Sequence, residues 1–292
     1  MNFKRALTVQ DISCVGQCSL TVALPIISAC GIETAVLPSA VLSTHTAGFT
    51  GYTFRDLTDD IPAIAAHWKR EGLYFDCIYT GYLGSERQID EVLSLFDGAM
   101  VPGGLAVVDP AMADNGRLYP AFDMAYVRAM RRLCARADVL LPNITEACFL
   151  TDLPYRESYD EGYISQLCEG LHALGTPAVV LTGVGYEPGM TGVLVSDRRD
   201  PSHPSLSYYR HHRIARSTHG TGDVYASAFV GALLRPRADG SSRSLYEAAR
   251  IAADFTVQSI LCTTDAVEHA YGVRFEQALP RLIELLSEGD RS

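Results

Sequence analysis

The stretch Ser217-Thr218-His219-Gly220-Thr221-Gly222-Asp223 runs straight into Val224-Tyr225-Ala226-Ser227-Ala228-Phe229-Val230-Gly231-Ala232-Leu233-Leu234. A polar loop with two glycines opens onto an apolar run that reads as a helix over 223–234. Glycine lets a backbone approach a ligand closely. A helix start offers free N–H groups and the positive end of the dipole, so this loop suits an anion. Asp223 then has two readings. It caps the helix, as Asp often does, or it lies beside a bound phosphate and takes a proton from an attacking hydroxyl.

Working outward, short β-rich apolar runs alternate with helical patterns. Strands are expected over 5–10, 34–37, 77–79, 104–108, 139–141, 178–181 and 192–195. Helices are expected over 19–30, 61–70, 86–96, 124–135, 145–150, 161–174, 223–234, 245–261 and 275–286. Such alternation indicates an α/β chain, with a mainly parallel sheet and helices on both faces. The strands barely alternate in polarity, as befits strands covered on both faces. The polar segment 235–244 reads as a surface loop between two helices, and no internal repeat is visible. One domain spanning 1–292 is expected, with small loops as a lid. Ligands of open parallel sheets bind beyond the carboxyl ends of the strands. That makes Asp11, Thr80–Tyr82, Asp109, Asn143 and Thr182 the first candidates.

Composition removes several classes. The chain has 292 residues, 48% hydrophobic and 20% charged, which supports a large core and argues against disorder. A net charge of -10 speaks against nucleic-acid and anionic-membrane partners. No apolar run approaches the roughly 18 residues of a membrane span. An acid at Asp11 comes too early for a secretory signal, so a cytoplasmic protein is expected. The eight cysteines are scattered without a Cys-x-x-Cys pair, which implies free thiols in a reducing compartment. The two lysines, Lys4 and Lys69, lie in no Walker-type loop. Neither is placed to be a Schiff-base lysine, which argues against a pyridoxal-phosphate-dependent enzyme.

Three further segments carry candidate chemistry. In Leu141-Pro142-Asn143-Ile144-Thr145-Glu146, Asn143 and Glu146 have the spacing of a capping box. The same oxygen-bearing pair could hold a hydrated Mg²⁺ through few direct contacts. In Val108-Asp109-Pro110-Ala111-Met112-Ala113-Asp114, Asp109 either starts a turn or joins Asp114 in serving a cation. The segment Ser43-Thr44-His45-Thr46-Ala47-Gly48-Phe49 is either an ordinary surface loop or one that covers a small polar ring. Tyr208–Arg213 reads as a solvated strand face, or as a lid if a phosphate site lies near. His211 and His212 are adjacent, so in a strand they point to opposite faces.

Gly220-Thr221-Gly222-Asp223 before an apolar helix, with Asn143-x-x-Glu146 upstream, resembles the ribokinase-like superfamily. Ser43-Thr44-His45-Thr46, Thr80-Gly81-Tyr82 and Val108-Asp109-Pro110 look most like the pyridoxal kinase family and the bacterial pyridoxamine kinases. The resemblance covers about residues 5–285. It implies a three-layer α/β sandwich and ATP-dependent phosphorylation of a primary alcohol to give a 5′-phosphate. Asp223 would then be the general base, and Gly220, Thr221 and Gly222 the anion hole. Asp109, Asn143 and Glu146 would organise Mg²⁺ near the ATP phosphates, with Asp114 beside them and K⁺ as an optional monovalent partner. Thr46 and Tyr82 would contact a pyridine substrate, with His45 close by. Thr182, Thr221 and the residues before Gly220 would approach ATP. A homodimer is implied as well.

Two departures stand out. Asp11 replaces a serine that animal-type pyridoxal kinases carry after the first strand. A carboxylate there can bind ring substituents or an amine, which would either favour pyridoxamine over pyridoxal or signal another small substrate. Leu141 stands where relatives often have threonine, which removes one hydroxyl contact to ATP. The rival readings are a hydroxymethylpyrimidine kinase, a sugar or nucleoside kinase, and a non-catalytic ligand-binding protein. Retention of Asp223 argues against the last.

Overall fold

The computed structural model describes residues 4–46, 48–215, 219–263 and 271–288. Its strands are β1 (Arg5–Ser13), β2 (Glu33–Leu42), β3 (Phe54–Asp56), β4 (Phe75–Thr80), β5 (Met100–Val108), the small hairpin β6 (Ala113–Asp114) and β7 (Arg117–Leu118), β8 (Val139–Leu140), β9 (Ala178–Thr182), β10 (Met190–Asp197) and β11 (Ser205–His212). The helices are α1 (Leu20–Ala29), α2 (Ile61–Arg70), α3 (Glu86–Gly98), α4 (Met124–Cys134), α5 (Ile144–Thr151), α6 (Glu161–Ala173), α7 (Thr221–Leu234), α8 (Leu245–Cys262) and α9 (Leu279–Glu288).

Nine strands form one sheet in the order β11-β10-β9-β8-β5-β4-β1-β2-β3. From β9 through to β2 neighbouring strands run parallel. At the two ends, β3 runs antiparallel to β2, and β10 and β11 form an antiparallel hairpin on β9. β1 has β2 on one side and β4 on the other, so the winding direction reverses there. That reversal leaves a crevice at the carboxyl ends of the strands.

Alternate strand residues feed two cores, as the period of a strand requires. Ala6, Cys77, Tyr79, Val107 and Val180 pack under α1, α7, α8 and α9. Leu7, Ile78, Val108, Leu140 and Leu181 face the other way, under α2 to α6. Both faces of the central strands are therefore apolar, the pattern that pointed to a covered parallel sheet. No helix among the described residues is long and apolar enough to cross a membrane. All eight cysteines are free, five of them buried, and Cys14 is exposed.

The expected elements are present, with shifted ends. β2 runs on through Pro38 to Leu42, and the short edge strand β3 is additional. The segment expected as one helix over 275–286 begins as a 3-10 turn, Phe275–Ala278, before α9. Pro280 explains the break: it lacks an N–H and fits only the first turn of an α-helix. α7 begins at Thr221, two residues earlier than expected.

Candidate active site

A cleft of about 460 Å³ lies at the carboxyl ends of the strands. Nine of the residues singled out in the sequence line it: Asp109 after β5, Asp114 in β6, Asn143 and Glu146 at the start of α5, Thr182 at the end of β9, and Gly220, Thr221, Gly222 and Asp223 at the start of α7. Ser217 and Thr218 lie outside the described residues.

The start of α7 has an open form. Gly220 is the N-cap with φ 81° and ψ 3°, and no described side chain caps the helix. Asp223 is therefore not the cap, contrary to one of its two readings; it is the third residue of the helix. Gly220 is required here. A Cβ would stand 1.9 Å from the carbonyl oxygen of Gln17, and its left-handed φ disfavours any L side chain. Burial at the foot of the cleft pushes the Asp223 carboxyl up to about 7. The nearby Ser19 backbone opposes that rise, and the charge of Asp11 adds to it.

The start of α5 is closed. Asn143 Oδ1 accepts from the Glu146 N–H at 2.9 Å, and Glu146 Oε2 accepts from the Asn143 N–H at 2.9 Å. The capping box read from the sequence is thus complete. Glu146 Oε1 accepts from the Met112 N–H at 3.0 Å, and Asn143 Nδ2 donates to the Ala113 carbonyl at 2.8 Å. Both residues tie α5 to the loop after β5 while forming part of the cleft wall. Burial raises the Glu146 carboxyl to about 7, against these N–H bonds. Asp109 is raised further by burial, then by the charges of Glu146 and Asp223. It also starts a turn, accepting from the Ala111 N–H at 3.1 Å.

The cleft thus carries four carboxylates, Asp109, Asp114, Glu146 and Asp223, and no Lys or Arg among its described lining residues. Among the described residues, no cluster of three or more His, Cys, Asp or Glu side chains forms a ready-made metal centre. Mg²⁺ commonly keeps several waters and leans on one or two carboxylates plus phosphate oxygens. Uncompensated, mutually repelling carboxylates fit such a hydrated ion.

The remaining sequence candidates gather elsewhere. Asp11 is buried at the end of β1, and its charge acts on Asp223, His45 and Tyr82. His45 is buried, its Nε2 is 2.7 Å from the Tyr271 carbonyl, and its ring centroid lies 5.8 Å from that of His219. Burial lowers the His45 pKa. Tyr82 is half-buried, and burial together with Asp11 pushes its hydroxyl up to about 12. Thr46 is exposed. Asp223 and His219 are common to this group and to the cleft.

Several cleft residues went unread in the sequence. Tyr119 follows the β6–β7 hairpin. Ala253, Val257 and Ile260 give the cleft an apolar strip from α8. Their spacing was visible, but it is also the spacing of any core-facing helix. His211 lines the cleft from β11 while His212 is exposed, the opposition expected of strand neighbours.

A family model described as phosphomethylpyrimidine kinase matches residues 27–274. The chain belongs to that family. A Bacteroides thetaiotaomicron protein described as a phosphomethylpyrimidine kinase, crystallised with pyridoxal, is 37% identical with a TM-score of 0.87, over 97% of this chain and 96% of that one. Pyridoxal kinase from Lactobacillus plantarum is 31% identical with a TM-score of 0.86, over 98% and 99% of the two chains. A curated pyridoxal kinase of Arabidopsis thaliana is 27% identical over 238 residues, 78% of this chain and 73% of its own. The ribokinase-like fold and the likeness to pyridoxal kinases expected from the motifs are both borne out.

Proposed function

We propose that the protein is a vitamin B6 kinase that transfers the γ-phosphoryl group of ATP to the 5′-hydroxymethyl group of pyridoxal, pyridoxine or pyridoxamine. The observation that carries the reading is Asp223. It is a carboxylate with a pKa near 7, in the first turn of a helix whose N–H groups no described side chain caps. A general base works best with a pKa near the operating pH. In this reading Asp223 takes the proton of the hydroxymethyl group as its oxygen attacks the γ-phosphorus. The bond from phosphorus to the bridging oxygen breaks, and ADP leaves. The backbone N–H groups at Gly220 to Gly222 face the charge on the transferring group, which is where phosphoryl transfer needs help.

Asp109, Asn143 and Glu146 would hold Mg²⁺ through its waters, and the ion would neutralise phosphate charge in a cleft that has no lysine or arginine among its described lining residues. Thr182, Thr221 and the α8 strip would receive the nucleotide, with Asp114 at the cleft edge. His45, Thr46 and Tyr82 would surround the ring, with Asp11 buried close to them, and the loop that carries His45 would act as a lid excluding water. A homodimer in the cytoplasm belongs to this reading and is checked by light scattering and cell fractionation.

The family match favours one second reading, a hydroxymethylpyrimidine kinase, whose alcohol also sits on a flat heteroaromatic ring. One assay separates the two. ADP release with Mg-ATP, with and without K⁺, is measured on pyridoxal, pyridoxine, pyridoxamine, hydroxymethylpyrimidine, ribose and adenosine. Turnover on the pyridines is the expected result. Turnover on the pyrimidine alone keeps the chemistry and moves the substrate. Silence on the whole panel overturns the enzyme reading.

A further inference from the structure

Three parts of the chain meet on one short segment, residues 14–18, which follows β1 and does not itself line the cleft. The first is the loop that carries His45. The His45 N–H donates to the Val15 carbonyl at 3.2 Å, and a Cβ on Gly16 would stand 2.1 Å from His45 Cδ2. The second is the start of α7, where the Gln17 carbonyl oxygen fills the space that a Gly220 Cβ would need. The third is the stretch before α9. A Cβ on Gly272 would stand 2.4 Å from Gln17 Cβ, and Gln17 Nε2 donates to Glu276 Oε1. His45 Nε2, 2.7 Å from the Tyr271 carbonyl, joins the first part to the third. Missing Cβ atoms are what let these backbones come so close. The segment is also fastened at its own ends. The Cys14 N–H donates to the Leu42 carbonyl at 2.8 Å, and Thr21 Oγ1 lies 3.0 and 2.8 Å from the Gly16 and Cys18 carbonyls. Ser19 closes it with a left-handed φ of 53°.

Gln17 is held at both ends, its side chain by Glu276 and Gly272 and its main chain against Gly220. The Gly220 backbone sets the direction of the N–H groups in the first turn of α7. We infer that Gln17 is a positioning residue for the anion hole: Glu276 anchors its side chain, and its carbonyl keeps the Gly220 turn aimed at the transferring phosphoryl group. Val15 and Gly16 hold His45 from the same segment, so one support spaces the ring-side loop from the phosphate-side helix start. The inference rests on the start of α7 receiving the phosphoryl group.

The test uses Gln17→Ala, Glu276→Ala and Glu276→Gln, with kcat and KM measured separately. Glu276→Gln keeps an acceptor oxygen for Gln17 Nε2. The two Ala variants are expected to lower kcat by about 10-fold, the scale of a slight misplacement near the reacting groups, while KM for the vitamer stays within about twofold. Glu276→Gln stays close to wild type. The double Ala variant loses no more than the worse single one, because both act through one contact. Losses that multiply, or a Glu276→Gln as slow as Glu276→Ala, overturn the inference. Hydrogen exchange reads the same contact without turnover. The Val224 N–H donates to the Gly220 carbonyl at 3.0 Å, so a loosened turn exposes it locally. Its exchange should be faster in both Ala variants and unchanged at Phe229, deeper in α7. Wild-type exchange at Val224 in Glu276→Ala overturns the claim. Glu276 is exposed, so if Gln17→Ala does not fold, as its melting curve would show, the Glu276 pair decides. A wild type silent on every alcohol defeats the functional reading and leaves the exchange comparison to decide whether Gln17 holds the turn.

Discussion

Helices α5 and α7 both begin on the same cleft, and they begin differently. α5 satisfies its first N–H groups with its own side chains, through the reciprocal Asn143 and Glu146 bonds. α7 starts on Gly220, and no described side chain caps it. Polar groups at a helix start must find partners in side chains, water or a ligand. A start that uses its own residues is a structural joint, and here it fastens α5 to the loop after β5. A start capped by no described side chain suits the anion of the proposed reaction. Carboxylates stand at both. Glu146 is engaged on both oxygens by Met112 and Asn143, whereas Asp223 stands in the first turn of its own helix.

The largest effect expected from breaking this contrast is at the open end. Asp223→Asn keeps the shape and removes the proposed base, so kcat should fall about 10²- to 10⁴-fold, with little change in ATP affinity by calorimetry. Stability moves the other way. The folded pKa, about 7, lies above the ordinary 3.8. The folded state therefore holds a proton that the unfolded chain releases, and stability is lost as pH rises between those values. The Asn variant should melt higher than wild type at pH 8. Turnover close to wild type would remove Asp223 from the chemistry and leave α7 an ordinary helix.

Gly220→Ala comes next. The left-handed backbone costs roughly 1–3 kcal/mol for a residue with a side chain, and the Cβ cannot fit against the Gln17 carbonyl. Urea unfolding should show that loss. The rate should fall with a raised KM for ATP, because the loop would move away from the proposed phosphate site. A neutral Ala would mean that the turn has slack and that the close approach to Gln17 is not needed.

The closed end should respond in stability before activity. Glu146→Gln offers one oxygen where two N–H groups, those of Met112 and Asn143, now find one each. Leaving one unpaired costs about 1–3 kcal/mol. Glu146 moves from an ordinary 4.5 to about 7, so in wild type its contribution to stability falls as pH rises through that window. The Gln variant should show a flatter dependence of Tm on pH there. A slope equal to wild type would place the titration on Asp109 or Asp223 instead.

The contrast between the two helix starts was partly legible in the sequence. Asn143 and Glu146 three apart after a strand are a capping box by spacing, and the structure makes one. Gly220 and Gly222 before an apolar run marked α7, because a missing Cβ at a helix start is rarely idle. The alternation of apolar runs and helical patterns gave the sheet, since both faces of its central strands are covered. Other features depended on distance rather than pattern. Asp223 had the spacing of a cap, and only the backbone at Gly220 shows that it is not one. Ser19 carries no signal at all, because a serine at a helix start is commonplace and only its φ sets it apart. The α8 strip looked like core, and the edge strand β3 is three exposed residues with nothing apolar to announce a buried face.

The smallest effect is expected where the sequence departs from animal-type relatives. As a departure from those relatives, Asp11 was read as binding ring substituents or an amine, favouring pyridoxamine or signalling another small substrate. Its burial and its two serine partners leave little of the carboxylate for a ligand. Asp11→Ser should therefore lower kcat on pyridoxal, pyridoxine and pyridoxamine by a common factor and change their ranking in kcat/KM by less than about twofold, since a group that touches no substituent contributes nothing to discrimination. Competition assays with pairs of vitamers measure that ratio directly. Selective loss of pyridoxamine would show that the carboxylate turns to the amine when the ring is bound.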